Sequence, residues 1–240
     1  MNPQTPSRPV QLPLGIRWDD TARLATFHAG SNARALASVE ALLRGDEAVL
    51  YLHGPASSGK SHLLQAAARA CGETGAPVAY LPLAEPAVTG PAVLEGMEGM
   101  ALVAVDDLHA VAGDRDWEEA LFHTFNRLRD AGTALCFAAN GRPDAVGLCL
   151  PDLVSRLRGG LVERLQRMDD DDKLAALRHR AGVRGLHLPD EVGWYLLRHQ
   201  PRDPARLFRL LEVLDEAALA EKRRLTVPFV RQVLARQEPG

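Results

Sequence analysis

The sequence predicts an α/β protein in which a parallel sheet is sandwiched by helices and is followed by a small all-helical domain. Three observations predict this fold class. Short apolar runs typical of buried strands alternate with amphipathic helices along the first part of the chain. A glycine-bounded loop joins one of these strands directly to a helix. From about Leu165 onward the strand patterns stop, and only helical patterns follow.

The composition is that of a soluble globular protein. Of the 240 residues, 46% are hydrophobic and 25% are charged. The net charge of −3 argues against a protein that coats nucleic acid. No apolar run is long enough to cross a bilayer, and the first residues lack a signal-peptide pattern. The cysteines at 71, 136 and 149 show no metal-type spacing and leave an odd one in any disulfide scheme, so we expect a protein of the reducing cytoplasm. Since there is no membrane-spanning run, we expect no membrane partner.

The first 18 residues are predicted to form an extended tail, because they contain four prolines and no helical period. Within the tail, Leu12, Leu14 and Ile16 alternate, and Pro13 blocks a helix. This pattern favours an extended peptide that presents apolar anchors to a partner. A first strand or arm packed on the protein's own core is an equally good interpretation of the pattern.

A helix over residues 32–44, capped by Ser31 or Asn32, precedes the glycine-bounded loop. The apolar strand Ala48–Leu52 leads into the loop, and a helix follows at residues 62–70. Strand, loop and helix in this order are the context that a phosphate-binding loop requires. We expect a nucleoside triphosphate or diphosphate to bind at Gly54, Pro55, Ala56, Ser57, Ser58, Gly59, Lys60, Ser61 and His62.

The chemistry of this loop follows from its backbone. Glycines at 54 and 59 let the chain curl, so that successive N–H groups meet phosphate oxygens at a helix N-terminus. Lys60 would reach the outer phosphates, and the Ser61 hydroxyl would coordinate Mg²⁺.

Two further strands carry polar side chains at their ends. After a strand at 77–82 and a short helix at 91–100, the apolar run from Met100 ends in Asp106 and Asp107. A helix at 117–129 leads to the strand 134–139, which is followed by Asn140.

These strand-end residues have both functional and structural interpretations. Asp106 is placed to hold Mg²⁺ through the nucleotide, and Asp107 to orient an attacking water or to cap the next helix. Asn140 would contact the γ-phosphate or the same water, or would simply form a turn.

Helices predicted to begin near Asp169, Pro189, Asp203 and Thr226 complete the chain. We therefore expect a tail at 1–18, an α/β domain at 19–164 and a helical domain at 165–240.

These motifs together resemble the AAA+ family. The resemblance rests on the phosphate loop, Asp106-Asp107-Leu108-His109, Asn140 at a strand end, Ser155-Arg156-Leu157, and the run from Arg202 to Phe208. Within that family, the paired aspartates and the helical lid are similar to those of the bacterial initiator DnaA. The chain ends soon after Leu225–Val230, where initiators continue into a DNA-binding domain, and the whole pattern therefore resembles the Hda family of regulatory inactivators.

The resemblance implies roles for individual residues. Arg156 would be an arginine finger inserted into a neighbouring subunit's nucleotide site, and Arg202 would contact nucleotide phosphates from the lid, with Arg206 as a competitor. Bound ADP or ATP with Mg²⁺ is implied, with weak intrinsic hydrolysis. The tail is similar to peptides that bind the β sliding clamp of DNA polymerase III, which assigns clamp binding to Gln11, Leu12, Pro13, Leu14 and Ile16.

The resemblance implies a negative regulator of replication initiation. It would dock on the DNA-loaded clamp, contact DNA mainly through the clamp, and stimulate ATP hydrolysis by DnaA; self-association is left open. The alternatives are an autonomous AAA+ ATPase that acts as a helicase-loader-like factor, and a clamp-tethered anchor for another replication protein. Composition and spacing alone support only the nucleotide-binding core.

Overall fold

The computed structural model describes residues 21–236. Five strands form one parallel sheet with the order β2-β3-β4-β1-β5. They are β1 (Val49–His53), β2 (Val78–Pro82), β3 (Leu102–Asp106), β4 (Ala134–Ala139) and β5 (Leu161–Arg164). Fold class and architecture are thus as the sequence predicts: a parallel sheet flanked by helices, then a helical lid.

The α/β unit comprises residues 21–24 and 31–166 of the described chain. Its helices are α1 (Ala33–Arg44), α2 (Lys60–Gly72), α3 (Arg115–Asp130) and α4 (Pro151–Arg158). One face of the sheet packs on α3 and α4, where Val103 and Phe137 meet Phe125 and Leu157 in a shared core. Strands β1, β3 and β4 are buried on both faces, which explains their continuous apolar sequences.

The helical unit comprises residues 25–30 and 167–236. Its helices are α5 (Asp170–Val183), α6 (Asp190–His199), α7 (Pro204–Glu221) and α8 (Val227–Ala235). A core of mainly leucine side chains, together with Phe229, joins them. Asp169 caps α5 by accepting a hydrogen bond from the Asp172 amide at 2.7 Å, so the acidic run lies at the positive end of the helix. Residues 25–30 pack with this unit although they precede α1 in the sequence.

Three local predictions need correction. The helix expected over 91–100 is only a 3₁₀ turn at Pro91–Leu94, because the backbone becomes extended at Glu95 and turns again at Gly96, whose φ is 73°. Asn32 precedes α1 but does not cap it through its side chain; that amide instead exchanges two hydrogen bonds with the backbone of Gln166, at 2.8 and 3.0 Å. The strand β5 was not expected at all.

Candidate functional site

The polar strand ends meet at one edge of the sheet. Strands β3, β4 and β1 are neighbours and run parallel, so the ends that carry Asp106, Asn140 and the phosphate loop lie side by side. The amide of Gly54 donates a hydrogen bond to the carbonyl of Ala139 at 3.3 Å, which ties the loop to the residue before Asn140. The structure therefore brings together the site residues predicted in the α/β unit, with the exception of Arg156.

The phosphate loop adopts a strained, curled backbone. Ser57 and Gly59 have positive φ angles of 60° and 97°, and α2 begins directly after Gly59. Glycine is also required at position 54, because a Cβ atom there would lie 2.4 Å from the carbonyl oxygen of Leu165. The curl places the loop at the N-terminus of a helix of 13 residues, where backbone N–H groups favour anions.

Side chains of the loop fit a bound phosphate. The buried Lys60 ammonium donates hydrogen bonds of 2.9 Å to the carbonyls of Gly54 and Pro55, so its charge is held inside the loop. The Ser58 hydroxyl is buried and has no hydrogen-bond partner among residues 21–236, and a phosphate oxygen would satisfy it. Ser61 is exposed in the first turn of α2, where its hydroxyl is free to reach a nucleotide-bound cation.

His62 has a structural partner. Its Nε2 atom lies 3.0 Å from the carbonyl oxygen of Arg23. This contact holds the segment before α1 to the first turn of α2.

Asp106 is held rigidly by two hydrogen bonds. Its carboxylate is 1% exposed; Oδ2 accepts from the Tyr80 hydroxyl at 2.8 Å, and Oδ1 accepts from the Asp107 amide at 2.9 Å. Gln65 Nε2 donates in turn to the Tyr80 hydroxyl at 3.1 Å. Burial, followed by the nearby Asp106 charge, raises the pKa of Tyr80, which keeps this hydroxyl a donor. Hydrogen bonds of this kind, from residues that do not themselves bind the metal, usually fix the orientation of a metal-binding carboxylate.

Tyr80 and Gln65 were missed by sequence reasoning. Tyr80 lies in β2, whose parallel register places it opposite Ala104, two residues before Asp106. Gln65 follows Ser61 by four residues, so both lie on one side of α2. The available signal was a tyrosine near the end of a strand, which is informative only after the strand order is known.

Asp107 lies in a strained position next to this carboxylate. Its φ is 54°, which is uncommon for a residue other than glycine, and it is half-buried. Burial raises the pKa of Asp107; the Asp106 charge raises it further, while His109 and Lys60 oppose this. The Asp107 side chain makes no cap for the short turn that follows it.

Asn140 is exposed at the end of β4. Its side chain makes no hydrogen bond with any other residue of the described range 21–236. No side-chain contact therefore supports the alternative that Asn140 forms a turn. Its side-chain amide is available to a ligand at this edge of the sheet.

Arg156 lies at the opposite edge of the sheet. It is exposed in the last turn of α4 and lines a hollow of about 590 Å³ together with Glu47 and Ala48, which precede β1. The phosphate loop follows the other end of β1, and five residues at about 3.3 Å each separate these ends by about 16 Å. Arg156 therefore does not join the phosphate loop of its own chain.

The two lid arginines are distinguished by their contacts. Arg202 Nη1 lies 3.4 Å from Asp170 Oδ2; the Arg202 side chain is exposed and that of Asp170 is partly exposed. The Arg206 side chain is exposed and forms no ion pair within residues 21–236, although its amide donates to Asp203 Oδ2 at 3.1 Å. The Arg202 guanidinium is thus paired with Asp170, whereas that of Arg206 has no acidic partner within residues 21–236. The assignment of Arg202 as the phosphate contact stays a prediction. The residues predicted to bind the clamp, Gln11, Leu12, Pro13, Leu14 and Ile16, lie outside the described residues.

Comparisons with known proteins agree with this arrangement. Residues 170–234 match the model of the Hda lid domain, and residues 93–164 match the model of the bacterial DnaA ATPase domain. The chain belongs to the DnaA/Hda family of AAA+ proteins.

Solved structures support the same fold. Domain III of the replication initiation protein DnaA from Thermotoga maritima is 20% identical, with a TM-score of 0.72 over 92% of this chain and 98% of that one. AMPPCP-bound DnaA from Aquifex aeolicus is 23% identical, with a TM-score of 0.65 over 80% of this chain and 65% of that one. The RuvB Holliday junction branch migration motor from T. maritima is 17% identical, with a TM-score of 0.57 over 85% of this chain and 67% of that one.

Membership of the DnaA/Hda family makes this a nucleotide-binding fold, and the phosphate loop has the geometry that such binding needs. None of the helices within residues 21–236 combines the length and the hydropathy that a membrane span needs.

The hydrogen bond from Tyr80 to Asp106 predicts a magnesium-specific effect. Tyr80→Phe frees one carboxylate oxygen of Asp106, so we expect the affinity for ADP with Mg²⁺ to fall about 10-fold, whereas affinity in EDTA is unchanged. Isothermal titration calorimetry measures both. Tyr51→Phe is the matched control, because it removes a buried hydroxyl that donates instead to the Gly141 carbonyl at 2.9 Å. An equal loss with and without Mg²⁺ would contradict the role of Tyr80.

His53, directly before the loop, predicts a pH dependence of stability. Burial lowers the pKa of His53, and the positive charges of Arg142, Arg164 and Lys60 outweigh Asp144 and lower it further. The unfolded chain, with a histidine pKa of about 6.5, therefore binds the proton first as pH falls. The free energy of unfolding should decrease below about pH 6.5, and this slope should be smaller in His53→Asn.

Urea unfolding at pH 7.5, 6.5 and 5.5 measures that slope. The exposed His123, changed to Asn, is the control for removal of a histidine from the same unit. An unchanged slope in His53→Asn would show that other groups cause the pH dependence.

Proposed function

We propose that this protein is a cytoplasmic negative regulator of replication initiation. It binds ADP or ATP with Mg²⁺, docks on the DNA-loaded β sliding clamp through Gln11–Ile16, and supplies Arg156 to the nucleotide site of DnaA. DnaA then hydrolyses its own ATP and becomes inactive. The family match supports the general assignment to replication initiation.

The observation that carries the proposal is the location of Arg156. The guanidinium is exposed, forms no ion pair or hydrogen bond with residues 21–236, and lies at the sheet edge away from its own phosphate loop. A permanently charged, planar donor that has no partner in the described part of the chain is suited to stabilise phosphoryl transfer in a second molecule. This arrangement supports action in trans rather than in the chain's own site.

In this proposal, the bound nucleotide has a mainly structural role. Lys60 and the loop amides would bind its phosphates, while Ser61 and Asp106 would hold Mg²⁺ through them. Asp107 and Asn140 would position water for weak intrinsic hydrolysis, and Arg202 would contact the phosphates from the lid. No step of the regulation requires rapid turnover at this site.

Replacement of the finger is the direct test. Such a finger contributes about 10³–10⁵ in rate, so Arg156→Ala should remove nearly all stimulation of phosphate release from DnaA–ATP. ADP affinity should stay within about two-fold of wild type, since the substitution is exposed and lies at the other edge of the sheet from the phosphate loop. Clamp affinity should also stay within about two-fold, since Arg156 is not part of the proposed docking peptide.

Arg158→Ala is the matched control for Arg156→Ala. Arg158 is exposed on the same short helix but lines a different hollow, with Asp144 and Leu148. Undiminished stimulation by Arg156→Ala, or an equal loss in Arg158→Ala, would count against the assignment.

Clamp docking has a separate test. Replacement of Leu12 and Leu14 by Ala removes the apolar anchors of the peptide, so binding to the clamp should fall more than 10-fold and stimulation should lose its dependence on clamp. Surface plasmon resonance with immobilised clamp measures the binding. If the affinity for the clamp is retained, the docking site lies in another part of the chain.

A second candidate function is that of an autonomous AAA+ ATPase in helicase loading. The convergence of Lys60, Asp106, Asp107 and Asn140 at one sheet edge favours it, because these groups can bind phosphates and Mg²⁺ and position a water for hydrolysis. It predicts DNA-stimulated turnover by the protein alone, lost in Asp107→Asn. Turnover that remains slow with DNA present would exclude this candidate.

A further inference from the structure

We propose that the buried carboxylate of Glu118 is a positioning residue for Arg156. It fixes the start of the short helix α4, at the end of which Arg156 is presented. The inference rests on the proposed role of Arg156 but adds a residue that neither the motifs nor the family matches single out.

Glu118 makes an unusual set of contacts for an acidic residue of a helix. It lies in the first turn of α3, yet only 1% of it is exposed. Its Oε2 atom accepts hydrogen bonds from the amides of Leu150 at 2.6 Å and Cys149 at 2.8 Å. Its Oε1 atom accepts from the amides of Gly113 at 2.8 Å and Cys149 at 3.0 Å. Both oxygens are therefore saturated by backbone donors.

Within residues 21–236, no side chain caps the first turn of α4. Leu150 is the residue before the helix and has no side chain that could accept a hydrogen bond, and Pro151 follows it. Glu118 instead accepts from the amides of Cys149 and Leu150, the two residues directly before the helix, and places a negative charge near its N-terminus. The position of α4 relative to the sheet is thereby tied to α3.

The hydrogen bonds at the start of α4 affect the position of Arg156, because the helix is short and packs against the core. The helix has eight residues, and Arg156 lies about 9 Å along it from Leu150 at 1.5 Å per residue. Its fully buried Leu153 and Leu157 belong to the same core as α3, so a shift at the first turn moves the helix as a body. A displacement of a catalytic group by about 1 Å can cost about 100-fold in rate.

Glu163 provides a matched control. It is a second buried carboxylate of the same unit, 6% exposed, and it accepts hydrogen bonds from Arg34 Nε at 2.9 Å and Ser38 Oγ at 3.2 Å. These partners lie on α1, so Glu163 does not anchor α4. Loss of either carboxylate removes a buried, charge-assisted network, and we expect Glu118→Gln and Glu163→Gln each to lower Tm by about 3–10 °C.

The experiment compares these two variants with wild type in the full chain with ADP bound, well below both unfolding temperatures. Stimulation of phosphate release from DnaA–ATP is titrated with each protein in the presence of DNA-loaded clamp. Glu118→Gln should lower the maximal stimulated rate about 10-fold or more. The half-saturating concentration and ADP affinity should stay within about three-fold, and Glu163→Gln should match wild type in all three quantities.

Hydrogen–deuterium exchange supplies a readout that does not depend on DnaA. The amides of Cys149 and Leu150 are the donors to Glu118, so they and the residues of α4 should exchange at least 10-fold faster in Glu118→Gln only. Exchange that is unchanged there, or that is equally faster in Glu163→Gln, would overturn the inference.

The kinetic outcomes separate the inference from the proposed function. Full stimulation by Glu118→Gln, or equal losses in both variants, would overturn the positioning role while the role of Arg156 stands. Failure of wild type to accelerate DnaA would overturn the proposed function instead. In that case faster exchange confined to residues 149–158 of Glu118→Gln would still support Glu118 as the anchor of α4.

Discussion

All five strands run in the same direction, and this alignment determines where each polar group of the α/β unit lies. Because β3, β4 and β1 are adjacent, Asp106, Asn140 and the phosphate loop meet at their carboxyl ends without any further device. The same alignment carries the residues before β1 and β5 to the other edge, where α4 ends. Two chemically different edges, one for nucleotide and one with Arg156, follow from one pairing pattern.

Each edge is supported by a buried polar contact between secondary-structure elements. At the nucleotide edge, the hydroxyl of Tyr80 in β2 orients the carboxylate of Asp106 in β3. At the other edge, Glu118 in α3 holds the amides at the start of α4. Buried polar groups are costly unless they are paired, and here every carboxylate oxygen involved has a backbone or hydroxyl donor. Stability and the geometry of function thus depend on the same few contacts.

The sequence predicts the fold class and the phosphate loop because both have local signals, namely apolar runs and a glycine-bounded turn before a helix. It fails where the cause is tertiary. The strand β5 contains Glu163 and Arg164 and is only four residues long, and it is recognised as a strand only beside β1. Tyr80 and Glu118 look like an ordinary strand tyrosine and an ordinary helix glutamate. The Asp106 carboxylate lies 26 residues from Tyr80 along the chain, and the amides of Cys149 and Leu150 lie more than 30 residues from Glu118.

The most direct test of the account separates the two nucleotide sites by label. ATP labelled at the γ-phosphate is loaded either on DnaA or on this protein, the two are mixed with DNA-loaded clamp, and release of labelled phosphate is followed in a single turnover. We predict that wild type accelerates release from labelled DnaA, that Arg156→Ala does not, and that release from this protein's own site is the same in both. Release from its own site that is rapid and depends on Arg156 would contradict the account.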